Sequence, residues 1–316
     1  MKELSAAFFK QMLDDAKLGE LEVADRVAKA LDPRYWATMA GPSGSARGEA
    51  SDGGVAEAVI DFKRHGVYHV RGALGHATIS RLNHIIDAVV GAGWPGVFAF
   101  ACDELWASTR LEPIRALVTG ALGDGARQIP HVWTHIVKAR GEQAGWAPHI
   151  DGPGDDRMTV WIALTDVALD NGCMYAVPRA TGVAEAVQQW SAQDTLTKIN
   201  VQRILQATRP MPAAAGDLLG WAFDIVHWGG PGSGDAPGRR SVALEFIGPH
   251  AEPGPTDTPL VALTGPLPPH GERLRAVASA VLEYKKFEPL LLRYQDVAKR
   301  ILEAVGQAGT KTMNGS

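Results

Sequence analysis

Apolar residues recur at helical spacing toward both ends of the chain and at strand spacing through its middle. Leu4, Phe8, Phe9, Met12 and Leu13, followed by Leu21, Val23, Val27 and Leu31, keep the 3.6-residue period and predict one or two helices within residues 2–31. A short helix over 56–62, a strand over 66–72 with alternating β-formers, and helices over 77–90 and 114–122 follow by the same reading. From Val132 the pattern changes to short β-branched and aromatic runs broken by Gly and Pro: 133–138, 159–164, 174–177, 218–221, 225–228 and 241–247. Several short strands at such intervals predict an antiparallel sandwich or barrel, closed so that few edges stay unpaired. Residues 183–205 are more polar and read as a helical insert with a loop over the barrel mouth. The tail from Glu272 to Val305 returns to helical periodicity, with a kink or break at Pro289.

These shifts set expected boundaries. Residues 1–54 form an N-terminal helical extension ending in a small, polar, glycine-rich linker from Gly41 to Gly54. Residues 55–250 form the β domain with an insert at 183–210, and residues 251–316 supply a proline-rich connection and C-terminal helices packing on the same domain. A homodimer through the terminal helices is the partner expectation.

Composition narrows the class without deciding it. The 316 residues carry a formal charge of -4, with 46% hydrophobic and 21% charged residues, and the signs are interspersed. That leaves no basic face for nucleic acid or an anionic membrane. No apolar run reaches the roughly 18 residues of a membrane span, and the first residues lack a signal-peptide core. Two cysteines, Cys102 and Cys173, make neither a disulfide framework nor a zinc pattern, and the expected location is the cytoplasm.

Chemistry concentrates between Gly145 and Arg240. His149 and Asp151, two apart in an extended segment, point the same way and can grip one ion through an imidazole nitrogen and a carboxylate oxygen. His227, ending an apolar strand before a glycine-rich turn, supplies a third ligand. A His, carboxylate, His set leaves half the coordination sphere open, as a non-haem iron(II) centre needs in order to take a co-substrate and oxygen together. Arg239 and Ser241, two apart at the start of the next strand, share a face, and a guanidinium beside a hydroxyl suits bidentate capture of a carboxylate.

These strings together resemble the phytanoyl-CoA dioxygenase (PhyH-like) family of Fe(II)/2-oxoglutarate-dependent oxygenases. The likeness lies in His149-Ile-Asp151, Val160-Trp-Ile-Ala-Leu-Thr-Asp166, Asp170-Asn-Gly-Cys-Met-Tyr-Ala-Val-Pro178, Gly216-Asp217, His227 and Arg239-Arg-Ser241, and it covers roughly Asp61 to Gly248. It implies a double-stranded β-helix, the cupin-like jelly roll, with flanking helices. It also implies Fe(II) held by His149, Asp151 and His227, 2-oxoglutarate as co-substrate held by Arg239, and O2. Halogenating relatives lack the carboxylate ligand, so Asp151 points to hydroxylation or another oxidation of an unactivated C–H bond in a small metabolite. Where the family usually ends its motif in Pro-Gly-Ser-His, this chain has Pro178-Arg-Ala-Thr-Gly182. The resemblance there assigns the hydroxyl to Thr181 and makes Arg179 a candidate substrate contact.

Softer candidates surround this set. His135 and Lys138 lie three apart, so on a regular strand they face opposite ways and one points toward 2-oxoglutarate. Thr159 and Trp161 alternate with Val160 and Ile162, and one set lines the cavity; Trp133, Trp146, Trp221 and Phe223 are candidate walls of a substrate pocket. Two rival readings use the same ligands: a zinc hydrolase with a metal-bound water, and a non-catalytic metal-binding sensor on the same β fold. The zinc hydrolase would not need Arg239 near the metal.

Overall fold

In the computed structural model, residues 17–41, 54–137, 145–179, 198–232, 236–285 and 287–313 are described. In chain order they form helices α1 (Glu20–Leu31), α2 (Pro33–Ala40) and α3 (Val55–His65), strand β1 (Val67–Val70), and helices α4 (His76–Gly91), α5 (Asp103–Ser108) and α6 (Glu112–Leu122). Strands β2 (Arg127–Val137), β3 (Arg157–Ala163) and β4 (Met174–Ala176) precede helix α7 (Lys198–Ala207) and strands β5 (Arg209–Met211), β6 (Leu218–Ala222), β7 (His227–Gly229), β8 (Arg239–Ile247) and β9 (Val261–Ala262). Helices α8 (His270–Tyr284) and α9 (Gln295–Met313) close the chain, separated by a 3-10 turn at Pro289–Tyr294 where the proline interrupts the helical run.

The chain divides into two compact units. One, residues 44–84 and 107–266, holds every strand. Six strands form an antiparallel sheet in the order β1-β6-β3-β8-β2-β9, and three form a second in the order β5-β4-β7. With its flanking helices this is the double-stranded β-helix, or jelly roll. Strand periodicity sorts the central strand β8 by face: Val242, Leu244 and Phe246 are buried, while Ala243 and Glu245 between them keep some exposure. On the buried side, Val160, Ile162 and Leu218 join the core, and helices α3 and α6 pack together next to β1 and β3. Asn83, midway along α4, donates to the carbonyl of Leu164 at 2.7 Å, fastening that helix to the segment just after β3.

The other unit, residues 1–43, 85–106 and 267–316, is helical. Its centre is aromatic: Trp36 is fully buried and stacks on Phe98 with centroids 6.0 Å apart, and Trp94 lies 4.5 Å from the same ring. The buried indole Nε1 of Trp36 donates to Ala30 O at 2.9 Å, and that of Trp94 to Tyr35 Oη at 2.9 Å, so neither polar atom is stranded. Val277, Val281, Val297 and Ile301 from α8 and α9 complete that core. The terminal helices at the two ends of the chain thus share one interior.

Several elements escape hydrophobic periodicity, each for a local reason. Helix α2 starts on Asp32, whose Oδ1 accepts from Arg34 N at 3.0 Å, with Pro33 in the first turn: capping chemistry rather than an apolar stripe. Strand β2 begins at Arg127, six residues before the expected start, because Pro130 sits in a bulge where the register shifts between Gln128 and Val132. Edge strand β5 contains Pro210, and β9 is two residues long, so neither carries an alternating pattern. Of the polar insert, residues 198–207 are helical; residues 180–197 lie outside the described residues.

One close approach fixes the register of β1, β6 and β3. Tyr68 crosses Gly220 to donate from its hydroxyl to Thr159 O at 2.9 Å, and a Cβ on Gly220 would lie 2.0 Å from that carbonyl and 2.2 Å from the Tyr68 oxygen. Because a backbone atom is among the clashes, side-chain rotation cannot relieve it. Gly220→Ala is expected to cost about 1–3 kcal/mol or more of stability, read from denaturant unfolding; a variant as stable as the native chain would contradict the close approach.

Candidate metal centre and co-substrate pocket

His149 and His227 form a reciprocal antiparallel bridge: His149 N donates to His227 O at 3.1 Å, and His227 N to His149 O at 2.9 Å. Since directly paired residues project to one face, the imidazoles come together, with ring centroids 4.4 Å apart. Asp151 is delivered to the same place by the turn between β6 and β7, where Phe223 O accepts from the backbone N–H groups of Asp151 (3.0 Å) and Gly152 (3.2 Å). The ligand atoms of His149, Asp151 and His227 all lie within 4.8 Å of one another. Asp151 Oδ1 is 3.8 Å from His149 Nε2 and 3.5 Å from His227 Nε2.

The surrounding bonds orient each ligand atom. His149 Nδ1 lies 2.7 Å from Ala147 O and His227 Nδ1 lies 3.0 Å from Ile225 O. A carbonyl only accepts, so Nδ1 carries the proton in both rings and Nε2 presents its lone pair to the centre. Burial lowers the His227 pKa to about 4 against the opposing charge of Asp151, so the ring is neutral at physiological pH. Asp151 Oδ2 accepts from Thr159 Oγ1 at 2.7 Å and Trp221 Nε1 at 2.8 Å, which leaves Oδ1 turned toward the histidines. Trp221 also stacks on His227 at 4.1 Å. Two neutral imidazole nitrogens and one carboxylate oxygen on one side of a common point suit a divalent iron with open positions.

The co-substrate pocket is read from register. His135 pairs with Ser241, which pairs on its other side with Ala163; Val137 pairs with Arg239; Trp133, Ala243 and Trp161 stand in one row; Thr159 pairs with Glu245 and Trp221. This face carries Thr159 and Trp221, the two donors to Asp151, so it faces the metal ligands. Arg239 is completely buried. Its Nη1 donates to Gly172 O and lies 3.4 Å from Met174 Sδ, and its guanidinium carbon lies 5.5 Å from the Trp161 ring centroid. Among the described residues, Nε and Nη2 of Arg239 and Oγ of Ser241 have no hydrogen-bond partner, and no carboxylate pairs with Arg239. Burial pulls the guanidinium pKa down to about 10, which still leaves it charged at neutral pH.

A buried cation with unfilled donors is costly unless an anion joins it. The Asp170-Asn-Gly turn sets it up: Asn171 Oδ1 accepts from Ala168 N at 2.7 Å and its amide donates to Asp166 O at 2.9 Å, while Gly172 adopts φ +95° and offers its carbonyl to Arg239. His135 is neutral here, its pKa lowered to about 3 by burial and then by the charge of Arg239.

The remaining expected residues fall as follows. Trp161 lies beside Arg239, and Trp146 packs 5.8 Å from His149 and 5.9 Å from His135. Phe223 sits in an apolar cluster with Ile129, Ile247 and Ala251, under the Arg157 guanidinium at 5.8 Å. Arg179 is engaged by Asp224 through two bonds, Nε to Oδ2 at 3.1 Å and Nη2 to Oδ1. Lys138 and Thr181 lie outside the described residues. Sequence reading passed over Glu245 and His131, although a lone carboxylate inside Ser241-Val-Ala-Leu-Glu-Phe-Ile, in step with Arg239 and Ser241, was the available signal.

Residues 97–241 match the family model for phytanoyl-CoA dioxygenase (PhyH). That stretch is PhyH-like. Members of that family are oxygenases that work with Fe(II), 2-oxoglutarate and O2, and this region is similar to them. No curated protein matched the chain. Among solved structures, the non-haem monooxygenase ThoJ in its nickel complex is similar at 19% identity with a TM-score of 0.52, over 75% of this chain and 99% of that one. SnoN, a non-haem α-ketoglutarate-dependent epimerase from nogalamycin biosynthesis, is similar at 20% identity with a TM-score of 0.50, over 61% of this chain and 83% of that one. At such identities these two speak for the fold.

Two predictions test this geometry. Trp221→Phe removes one donor to Asp151 Oδ2 while keeping an aromatic ring over His227, and should weaken divalent-metal binding by about 10–100-fold, measured by competitive titration with a chromogenic chelator; unchanged affinity would refute the positioning role. The second concerns His131, whose Nδ1 is 2.9 Å from Glu245 Oε2 and whose Nε2 is 3.6 Å from Asp257. Burial alone would depress its pKa, but the hydrogen bond and charge of Glu245 with the charge of Asp257 outweigh it and raise the value to about 8. A raised folded pKa stabilises fully below the unfolded value near 6.5 and is lost as pH climbs through about 8. Unfolding free energy should therefore fall by about 1–2 kcal/mol between pH 6 and pH 9, and His131→Asn should flatten that slope.

Proposed function

We propose that this protein is an Fe(II)- and 2-oxoglutarate-dependent dioxygenase that oxidises an unactivated C–H bond of a small-molecule metabolite, with hydroxylation as the outcome its retained carboxylate ligand favours. The observation that carries the reading is the presence of two incomplete sites beside the same face of the six-stranded sheet. One is a His149, Asp151, His227 set with open positions; the other is the buried Arg239 with unfilled nitrogens beside the unfilled Ser241 hydroxyl. A small dicarboxylate that reaches the metal at one end and a cation at the other satisfies both.

When bound, iron with 2-oxoglutarate and O2 supplies the oxidising power. The chain supplies placement. His149 Nε2, His227 Nε2 and Asp151 Oδ1 would hold the metal, with Ala147 O, Ile225 O, Thr159 and Trp221 fixing their directions. Arg239 would grip the distal carboxylate in a charge-assisted pair, with Ser241 adding a hydroxyl donor and neutral His135 alongside. The indoles of Trp133, Trp146 and Trp161 exclude water and favour an apolar body on the substrate. Arg239 also separates this reading from a zinc hydrolase on the same ligands, which has no use for a buried cation awaiting a dicarboxylate; succinate release separates it from a metal sensor.

Arg239→Met, which keeps bulk and removes charge, should abolish 2-oxoglutarate binding in the Fe(II)-loaded protein under nitrogen, a loss of at least about 100-fold for a buried charge-assisted pair, while metal affinity is retained. Native protein that binds iron but not 2-oxoglutarate, or that releases no succinate on exposure to O2 and substrate, would sink the proposal.

A further inference from the structure

Resting on the oxygenase reading, we propose that Glu245 is the specificity-determining group of the substrate subsite and that the substrate presents a protonated amine to it. Strand β8 puts Arg239, Ser241, Ala243 and Glu245 on one face at two-residue steps. Arg239 and Glu245 are therefore about 20 Å apart along the strand, at opposite ends of the row. Arg239 takes the co-substrate end. Glu245, paired with Thr159, which in turn donates to Asp151, stands at the opposite end of the face that bears the metal ligands.

The carboxylate completes a structural pair with His131 through Oε2 and keeps its other oxygen for a ligand. Strands β3 and β2 flank β8 on either side. The exposure that Glu245 and Ala243 retain therefore opens on the face with the metal ligands, since Leu244 and Phe246 are sealed on the other. Of the two carboxylate oxygens, Oε2 accepts from His131 Nδ1 at 2.9 Å, while Oε1 has no hydrogen bond among the described residues. Nearby charges are otherwise committed. Asp257 Oδ2 takes Arg157 Nη1 at 2.6 Å and Gly254 N at 2.6 Å, and Asp151 belongs to the metal. An ionised carboxylate only accepts, so the missing partner is a donor.

The neighbouring surface says which donor. Trp133 and Trp161 flank Ala243, one step along the row from Glu245, and Trp221 stands across Thr159 from it. Indole faces attract cations through their quadrupole and offer a hydroxyl group little. A carboxylate oxygen on a strand face that also carries three indoles is the combination that favours an ammonium over an alcohol of the same shape. The small side chain of Ala243 leaves room between the two indoles for the apolar part of the substrate.

The test uses the full chain loaded with Mn(II) and a panel of amines, from benzylamine to piperidine, each matched with its neutral isostere, from benzyl alcohol to tetrahydropyran, with binding read from tryptophan fluorescence. The native chain should bind at least one amine about tenfold or more tightly than its isostere. Glu245→Gln should erase that preference, and Glu245→Asp, which withdraws the charge by one methylene, should keep it in weakened form. Equal binding of amine and isostere by the native chain would overturn the proposal, as would a preference that survives Glu245→Gln, or the absence of any amine binding below about 10 mM. Binding of 2-oxoglutarate is measured separately by calorimetry. An amine preference lost in Glu245→Gln, with no 2-oxoglutarate binding by the native chain, would support the Glu245 site and overturn the oxygenase reading alone.

Discussion

The two backbone hydrogen bonds exchanged by His149 and His227 bring distant parts of the chain onto one point, and the metal site exists only where that bridge forms. Each imidazole is tied to a carbonyl two residues before its own position, so backbone pairing sets ring orientation and ring orientation sets the coordinating atom. Asp151 depends on the same junction through Phe223 O, and on the main sheet through Thr159 and Trp221. The minor sheet thus contributes His227 and, through the bridge to it, holds His149, while the major sheet aims the carboxylate.

Strand β8 is the second organiser. Its apolar residues at 242, 244 and 246 complete the buried core, which gives the strand its place in the sheet; the alternate positions are then free to carry function. A slip of one residue would turn Arg239 and Ser241 into the core and Val242 into the cavity. The close passage of Tyr68 over Gly220 and the bulge at Pro130 pin neighbouring strands against such slips. Core packing and the burial of Arg239 are therefore two faces of one constraint.

Much of this was legible in the chain itself. The two-residue spacing of His149 and Asp151, the apolar run ending at His227 and the Arg239/Ser241 pair were visible because extended backbone converts sequence spacing directly into facing. Helices with apolar stripes and the break at Pro289 were visible through the 3.6-residue period. What stayed hidden depends on which strands become neighbours. That Thr159 and Trp221 both serve Asp151, that Glu245 meets His131, and that Arg179 is taken by Asp224 follow from register and from turns joining distant segments, which no local pattern encodes. Short strands containing proline, such as β5, fell below the reach of alternation.

The buried guanidinium of Arg239 has a consequence beyond recognition. A folded chain that encloses an unbalanced cation gains stability when a dianion joins it, and the unfolded chain, with that arginine in water, gains nothing from the same dianion. Under the oxygenase reading that dianion is 2-oxoglutarate, and resistance of the fold to opening and to proteolysis would then scale with its concentration.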